Sequence, residues 1–324
     1  MEGMLHQLLL SADLMVHDAD HVADLLVTKL GLAGHPNWRQ AFPGHPYVAH
    51  FLRAHKSLAV SPTRIEPQGH LDAPNAGDPM FPVYLRSIEE FQGPSRPQKT
   101  HATVIVTDDM DGVIKRLMAK KQPFRLARLT PEMPFDRLWV GCTPEKPGYE
   151  PSVDGGLCIE FIPLGPIMMP DLAFSDPPPQ PRDSKPGDMV RVVARGFLVR
   201  DLDDVLARLD DNLDLRPSEP AREIASEGYR IARLGFGLKH SATFDLIEPT
   251  QWDSDAGRYL HNWGPGPYYA RIAVTGLKAK ADDLTSRGVK FEWREHSDAV
   301  DGSLIRVDPA ELDGAIFEFV EHKA

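Results

Sequence analysis

One pattern recurs along this chain and limits what it can fold into. An apolar strand leads to an amphipathic helix that starts near an aspartate, and further strands follow. Four such β-α-β-β-β units are legible, two on each side of a proline-rich stretch. In the first unit, residues 5–16 read as a strand and 18–32 as a helix. Val22, Leu25, Leu26 and Leu30 fall at helical spacing there, Asp18 or Asp20 can cap the start and Gly31 can end it. Strands are expected at 47–52 and 57–65, and residues 67–98 read as irregular. The second unit has a strand at 101–106 and a helix at 109–121. Val113, Ile114 and Leu117 form the inner side of that helix, and Lys115, Arg116, Lys120 and Lys121 the outer. Strands are expected at 124–129, 137–142 and 157–162.

Residues 163–188 contain eight prolines, including Pro177-Pro178-Pro179. A segment of that composition is extended and cannot join a central strand, so the boundary belongs there. The expected division is an N-terminal pair of units over 1–163, a linker over 164–188 and a C-terminal pair over 189–324. In the latter, strands read at 189–199, 229–235, 242–247, 268–274, 289–294, 303–307 and 315–320. Helices read at 202–213, where Asp201 can cap, and at 277–287, closed by Gly288. The fold class is α+β.

Composition narrows the function. A net charge of -11 argues against nucleic-acid binding, which needs a basic footprint. The two cysteines, Cys142 and Cys158, are too few for a disulfide scaffold and fit a reducing compartment. No apolar run reaches membrane-spanning length and no basic leader opens the chain, so a soluble cytoplasmic protein is expected, with no membrane partner. Neither a phosphate-binding glycine loop, nor zinc-finger spacing, nor a GxSxG elbow is present.

The chemistry-bearing residues sit on the strands. His101 opens the strand that leads to Asp108, and His6 stands at the same spacing before Asp13. Glu160 is the one carboxylate in the apolar run Leu157-Cys158-Ile159-Glu160-Phe161. Two histidines and a carboxylate are the ingredients of a facial-triad metal site. A second register sets Asp18 against Asp108 and puts Ser11, not His6, in the slot. Of His45, His50 and His55, His50 falls on a strand and is the candidate acid/base. Arg125, Arg128 and Arg137 are candidates for steering an anionic substrate, and Tyr149 for covering the site.

With these residues in view, the chain resembles the vicinal oxygen chelate superfamily, the group that includes glyoxalases, bleomycin-resistance proteins and extradiol dioxygenases. The carriers are His101 with Asp108 and its helix, the run Gly156-Leu157-Cys158-Ile159-Glu160-Phe161, and the ending Val307-Asp308-Pro309 to Gly314-Ala315-Ile316-Phe317-Glu318-Phe319-Val320. The resemblance implies paired modules that form barrel-like sheets, with metal ligands on the first and last strands of each module. It maps His6 and His101 to first-strand positions, with Ala194 and Tyr269 as their C-terminal counterparts. Thr63 or Glu66, Glu160, Asp245 and Glu318 map to the last strands. Only the N-terminal half then offers a full set: His6, His101 and Glu160. Glu318 is expected to be structural and the C-terminal half metal-free. The implied function is a metal-dependent enzyme, with Fe(II) favoured and Zn(II), Mn(II) or Co(II) as alternatives. Its substrate would be a small catechol-like or vicinal-oxygen compound cleaved by an extradiol-type dioxygenase. Alternatives are a non-oxidative isomerase, epimerase or lyase, and a metal-free small-ligand-binding protein. A homodimer is compatible with this reading.

Overall fold

The computed structural model describes residues 6–12, 14–16, 18–41, 47–55, 57, 60–70, 102–129, 135–142, 148–164 and 185–323. His101, His45, residues 71–100 and most of the proline-rich segment lie outside the described residues.

The first module comprises β1 (His6–Ala12), β2 (Leu14–Val16), α1 (Ala19–Leu25), β3 (Arg39–Ala41), β4 (Tyr47–His50) and β5 (Pro67–His70). The second comprises β6 (Thr103–Thr107), α2 (Met110–Ala119), β7 (Phe124–Ala127), β8 (Arg137–Val140) and β9 (Ile159–Pro163). The third comprises β10 (Met189–Leu198), α3 (Leu202–Leu213), β11 (Arg222–Ile224), β12 (Tyr229–Leu234) and β13 (Thr243–Pro249). A helix that the sequence reading did not foresee, α4 (Asp255–Trp263), precedes the fourth module: β14 (Gly266–Val274), α5 (Leu277–Ser286), β15 (Phe291–Ser297), β16 (Gly302–Val307) and β17 (Ile316–Glu321).

Every module has the same topology. Its first strand, which in the first module is broken into β1 and β2 with β2 making this contact, pairs in parallel with its last, and the middle strands follow outward: β6-β9-β8-β7, β10-β13-β12-β11, β14-β17-β16-β15 and β2-β5-β4-β3. A crossover helix makes the parallel pairing possible. Modules join through antiparallel first strands, β1 with β6 and β10 with β14. The C-terminal pair closes into one eight-stranded sheet. In the first module the described residues of the expected strand at 57–65, namely 57 and 60–65, form no strand, and Pro62 interrupts the run; β5 begins at Pro67, and Ile65 makes an isolated bridge to Leu52.

The helices begin where aspartates can take a free backbone donor. Asp18 accepts from His21 N, Asp109 from Gly112 N and Asp201 from Asp204 N, each at 2.8–2.9 Å. The inward residues of these helices, among them Val22, Val113, Leu117 and Leu209, and Leu284 of α5 belong to a single core that runs through both halves. Polar contacts also tie the halves together. Asn212 donates to the Val153 carbonyl at 2.7 Å, Lys280 Nζ to the Leu30 carbonyl at 2.7 Å, and the backbone of Gly237 and Leu238 to His6 and Gln7.

Candidate functional site

Strand alternation divides each sheet into a face under the helices and a face turned away from them. On β9, Ile159 and Phe161 face the helices and join the core with Val113 and Leu117. Cys158, Glu160 and Ile162 take the other, inner face. Ile162 clusters there with Leu8, Leu10, Ala102, Val104 and Val106.

His6 lies on the wrong face to join Glu160. Its ring stacks on Phe161 at 5.0 Å between centroids, and its Nε2 is 2.9 Å from the carbonyl oxygen of Leu213 at the end of α3. The cause is a register shift. His6 pairs with Thr107 but Leu8 with Val106, so a bulge at this point turns His6 toward the helices. Burial pushes its imidazole pKa down, although the Leu213 carbonyl and the charges of Asp214 and Asp108 act the other way. Ser11 pairs with Val104, and Val104 with Glu160, so Ser11 and Glu160 share a row on the inner face.

The helix caps explain the alignment. Seven residues before the caps Asp18, Asp109 and Asp201 stand Ser11, Ala102 and Ala194, and seven before the cap Gly276 stands Tyr269. The sequence reading counted from Asp108, one residue short of the true cap. His101 itself is outside the described residues, and among those residues no group of three His, Cys, Asp or Glu side chains can hold a metal ion. His50 is also directed elsewhere: its Nε2 lies 2.6 Å from Asp20 Oδ1 on α1, a carboxylate that also accepts from Arg39. The Arg39 hydrogen bonds, with the His50 contact adding to them, hold Asp20 down to about 2 although burial opposes them.

The last-strand positions keep their carboxylates, and arginines meet all of them. Glu66, Glu160, Asp245 and Glu318 are 4, 2, 0 and 3 % exposed. Charges at that depth persist only when paired. Arg64 Nη1 lies 3.5 Å from Glu66 Oε1. Arg137 forks onto Glu160, with Nε 2.5 Å from Oε1 and Nη2 3.2 Å from Oε2, and its guanidinium covers Trp139 at 4.5 Å. Arg233 Nε is 3.6 Å from Asp245 Oδ1. Arg271 donates from Nε and Nη2 to Glu318 Oε2 at 3.0 and 2.8 Å, and its Nη1 lies 3.8 Å from Asp245 Oδ2. The expected ligand set is therefore not assembled by the described residues: Glu160 is committed to Arg137, and His6 is behind the sheet. Tyr149 is buried rather than a cover. Its hydroxyl donates to Asp154 at 2.5 Å and accepts from Cys158 N at 3.0 Å.

The inner face of the C-terminal sheet carries an open site. Helix α4 lies across it, begun by Ser254, whose hydroxyl accepts from Gly257 N at 3.0 Å. Gly257 sits so close to the preceding turn that a Cβ there would lie 2.1 Å from the Gln251 carbonyl oxygen. Tyr259 meets Tyr268 edge-on at 5.3 Å. Asp255 holds Arg294 Nη2 at 3.0 Å and Arg306 Nη1 at 3.7 Å. Burial raises the Asp255 pKa, but Arg294, Arg306 and Arg258 together outweigh it and hold the group below the usual carboxylate range. On one side of Asp255 opens a cleft of about 650 Å³, with Tyr259, Trp263 and Phe291 as aromatic walls, Lys290, Arg294 and Arg306 as cations and Asp255, Glu292 and Asp308 as carboxylates; Arg294 is paired with Asp255 and Glu292. On the other side is a cavity of about 400 Å³ that reaches Glu227, Tyr229 and Ser297. Arg306 also donates to the Tyr268 hydroxyl at 3.2 Å and lies 3.8 Å from Glu318 Oε1. This site was missed because α4 was missed.

Four βαβββ modules joined in pairs through antiparallel first strands are the vicinal oxygen chelate fold in its two-domain form. Over nearly its whole length the chain is similar to a triple mutant of 4-hydroxymandelate synthase from Streptomyces coelicolor, at 14% identity, covering 98% of this chain and 93% of that one with a TM-score of 0.59. Shorter matches reach methylmalonyl-CoA epimerase from Mycobacterium tuberculosis, at 24% identity over 41% of this chain and 88% of that one with a TM-score of 0.37. A Streptomyces coelicolor methylmalonyl-CoA epimerase variant with 2-nitronate-propionyl-CoA matches at 22% identity, over 42% and 99% of the two chains with a TM-score of 0.38. No family model matches the chain, and no curated protein matches it.

Proposed function

We propose that the protein takes a small aromatic or vicinal-oxygen acid into the cleft beneath α4, and that guanidinium groups meet the ligand oxygens. The single observation behind this reading is the composition of that cleft, aromatic walls beside Lys290, Arg294 and Arg306 in about 650 Å³. Its volume suits a ligand of one or two rings. Rings lie against Tyr259, Trp263 and Phe291, and a carboxylate or enolate oxygen finds Arg306, already oriented by Tyr268 and Glu318. Oriented cations of this kind stabilise oxyanions, which is what non-oxidative isomerase or lyase chemistry of this superfamily requires. Titration calorimetry with a panel of aryl carboxylates and aryl 2-oxo acids tests it. At least one should bind, and Arg306→Ala should weaken that binding roughly tenfold or more. No binding across the panel, or equal binding by the variant, rejects the proposal.

A second reading keeps the N-terminal pair as an Fe(II) site of an extradiol-type dioxygenase, with His101, Glu160 and His6 as ligands and His50 as base. Glu160, buried on the inner face, supports it. Metal entry there requires Arg137 to release Glu160 and His6 to cross the sheet. Anaerobic purification followed by metal analysis, then oxygen uptake with catechols, decides it: one equivalent of iron, lost in Glu160→Ala and accompanied by uptake, establishes this reading. The two buried free cysteines fit a cytoplasmic setting, and among the described residues no helix is long and apolar enough to cross a membrane.

A further inference from the structure

We propose that the guanidinium of Arg271 is the resident cation of the C-terminal coordination position, the place where the resemblance to the vicinal oxygen chelate superfamily implies a metal. The socket is built from the register of two modules, the third and the fourth. Arg271 pairs across the sheet with Ala194 on one side and Glu318 on the other. Gly196, two residues on from Ala194, pairs with Asp245. Glu318 and Asp245 thus flank Arg271 from β17 and β13, and Tyr269 lies under the guanidinium with its ring 4.3 Å from the Arg271 carbon. The Tyr269 hydroxyl donates to Asp245 Oδ2 at 2.7 Å, and Thr243 Oγ1 donates to Oδ1 at 2.7 Å, so the carboxylate is aimed before any cation arrives.

Two anionic side chains and a polarisable ring around one buried point need a positive charge. Arg271 is 3 % exposed and supplies it. Burial works against its charge, yet Tyr269, Glu318, Asp245 and Tyr229 outweigh that and keep it protonated. A flexible surface arginine would not serve here. Arg271 is on the first strand of its module, and its stem emerges two residues from Tyr269, the position where the resemblance expects a ligand. The neighbouring positions repeat the solution. Arg137, Arg233 and Arg306 all come from the strand beside the carboxylate of their module, and Arg233 and Arg306 pair in register with Asp245 and Glu318. The same substitution of a tethered organic cation for a free inorganic one is thus made more than once in this chain. This inference is independent of what the α4 cleft binds.

The full-length protein with Arg271→Ala tests it by thermal unfolding and metal titration. Wild type should take up no Mn(II), Co(II), Zn(II) or Fe(II) at the C-terminal position, and none of them should raise its Tm. Arg271→Ala should lose roughly 10 °C, because Glu318 loses both of its Arg271 hydrogen bonds and Asp245 keeps only Arg233 at 3.6 Å. Millimolar guanidinium or a divalent cation should restore part of that loss, whereas sodium at equal ionic strength should not. The restoration should vanish when Glu318→Gln is added. Co(II) bound by wild type with absorption bands that Glu318→Gln abolishes would overturn the proposal, as would a folded Arg271→Ala indifferent to both cations. Should Arg271→Ala not fold, Arg271→Lys and Arg271→Met replace it. Lysine keeps charge and methionine keeps bulk, so Arg271→Lys must be the more stable, and the reverse order refutes the idea.

Discussion

Asp154 shows how far a single side chain's surroundings set its chemistry. It is fully buried in the turn before β9, where it accepts from Tyr149, Gly156 N and Ile159 N. Burial pushes its pKa from 3.8 up to about 6 and outweighs those donors. The folded protein therefore holds a proton that the unfolded chain releases near pH 4. This contribution to stability is complete below that pH and is lost as pH rises toward 6, by about 3 kcal/mol at most. Urea unfolding at pH 4 and pH 6.5 should show this fall, and Asp154→Asn should flatten it. His6 acts in the opposite sense. Its lowered pKa means that stability is lost as pH falls below 6.5, and His6→Leu should remove that acid-side loss. The inward position of Glu160 was legible because a carboxylate at an even step in an apolar strand has few other meanings. The position of His6 was not, since a bulge shifts the face of a side chain without any change in composition. The arginines opposite the carboxylates were legible only as charge. Their pairing depends on which strands become neighbours, and a linear reading does not contain that.

At the level of elements, caps carried the most information. Asp201 was read as a cap and is one, and Asp18 and Asp109 follow the same rule. Asp201→Ala should destabilise the protein by about 1 kcal/mol in denaturant titration, and Asp201→Ser should recover most of it. The helix at 18–32 was legible in extent but not in form: after Leu25 the chain widens into a π-turn over Leu26–Leu30 before Gly31 stops it. Helix α4 escaped notice although Ala256 and Leu260 lie four apart behind the Ser254 cap. Nine residues followed by Gly264-Pro265-Gly266-Pro267 resemble a loop when each is judged alone. Helices α2 and α3 touch across the two halves, with Lys120 bonded to Asp211 and Arg116 Nη2 3.3 Å from Asp214 Oδ2. These exposed pairs contribute little. The apolar stripes beneath them do the holding.

For the whole molecule, the sequence showed two pairs of modules and could not show how they dock. Docking relies on backbone carbonyls and on helix sides that are equally apolar wherever they face. Lys280 illustrates this: it reads as a surface lysine of α5, yet its ammonium is buried between the Leu30 carbonyl and Asp283, and burial lowers its pKa. With one core through both halves, unfolding should be a single transition. Fragments 1–163 and 189–324 produced separately should be poorly soluble alone and should co-purify when expressed together. Two independent, separately soluble fragments would contradict the shared core.

Helix α4 roofs the C-terminal chamber and rests on Gly257, where one hydrogen atom is all the space allows. Carbonyl oxygen cannot retreat as a side-chain tip can, so even a methyl group at this spot acts as a wedge. Gly257→Ala should lift the roof at its hinge end, leave the sheet intact, and speed both entry and escape of whatever the chamber holds. Stopped-flow traces would then show faster exchange together with a lowered Tm, and the helix would be recognised as a door.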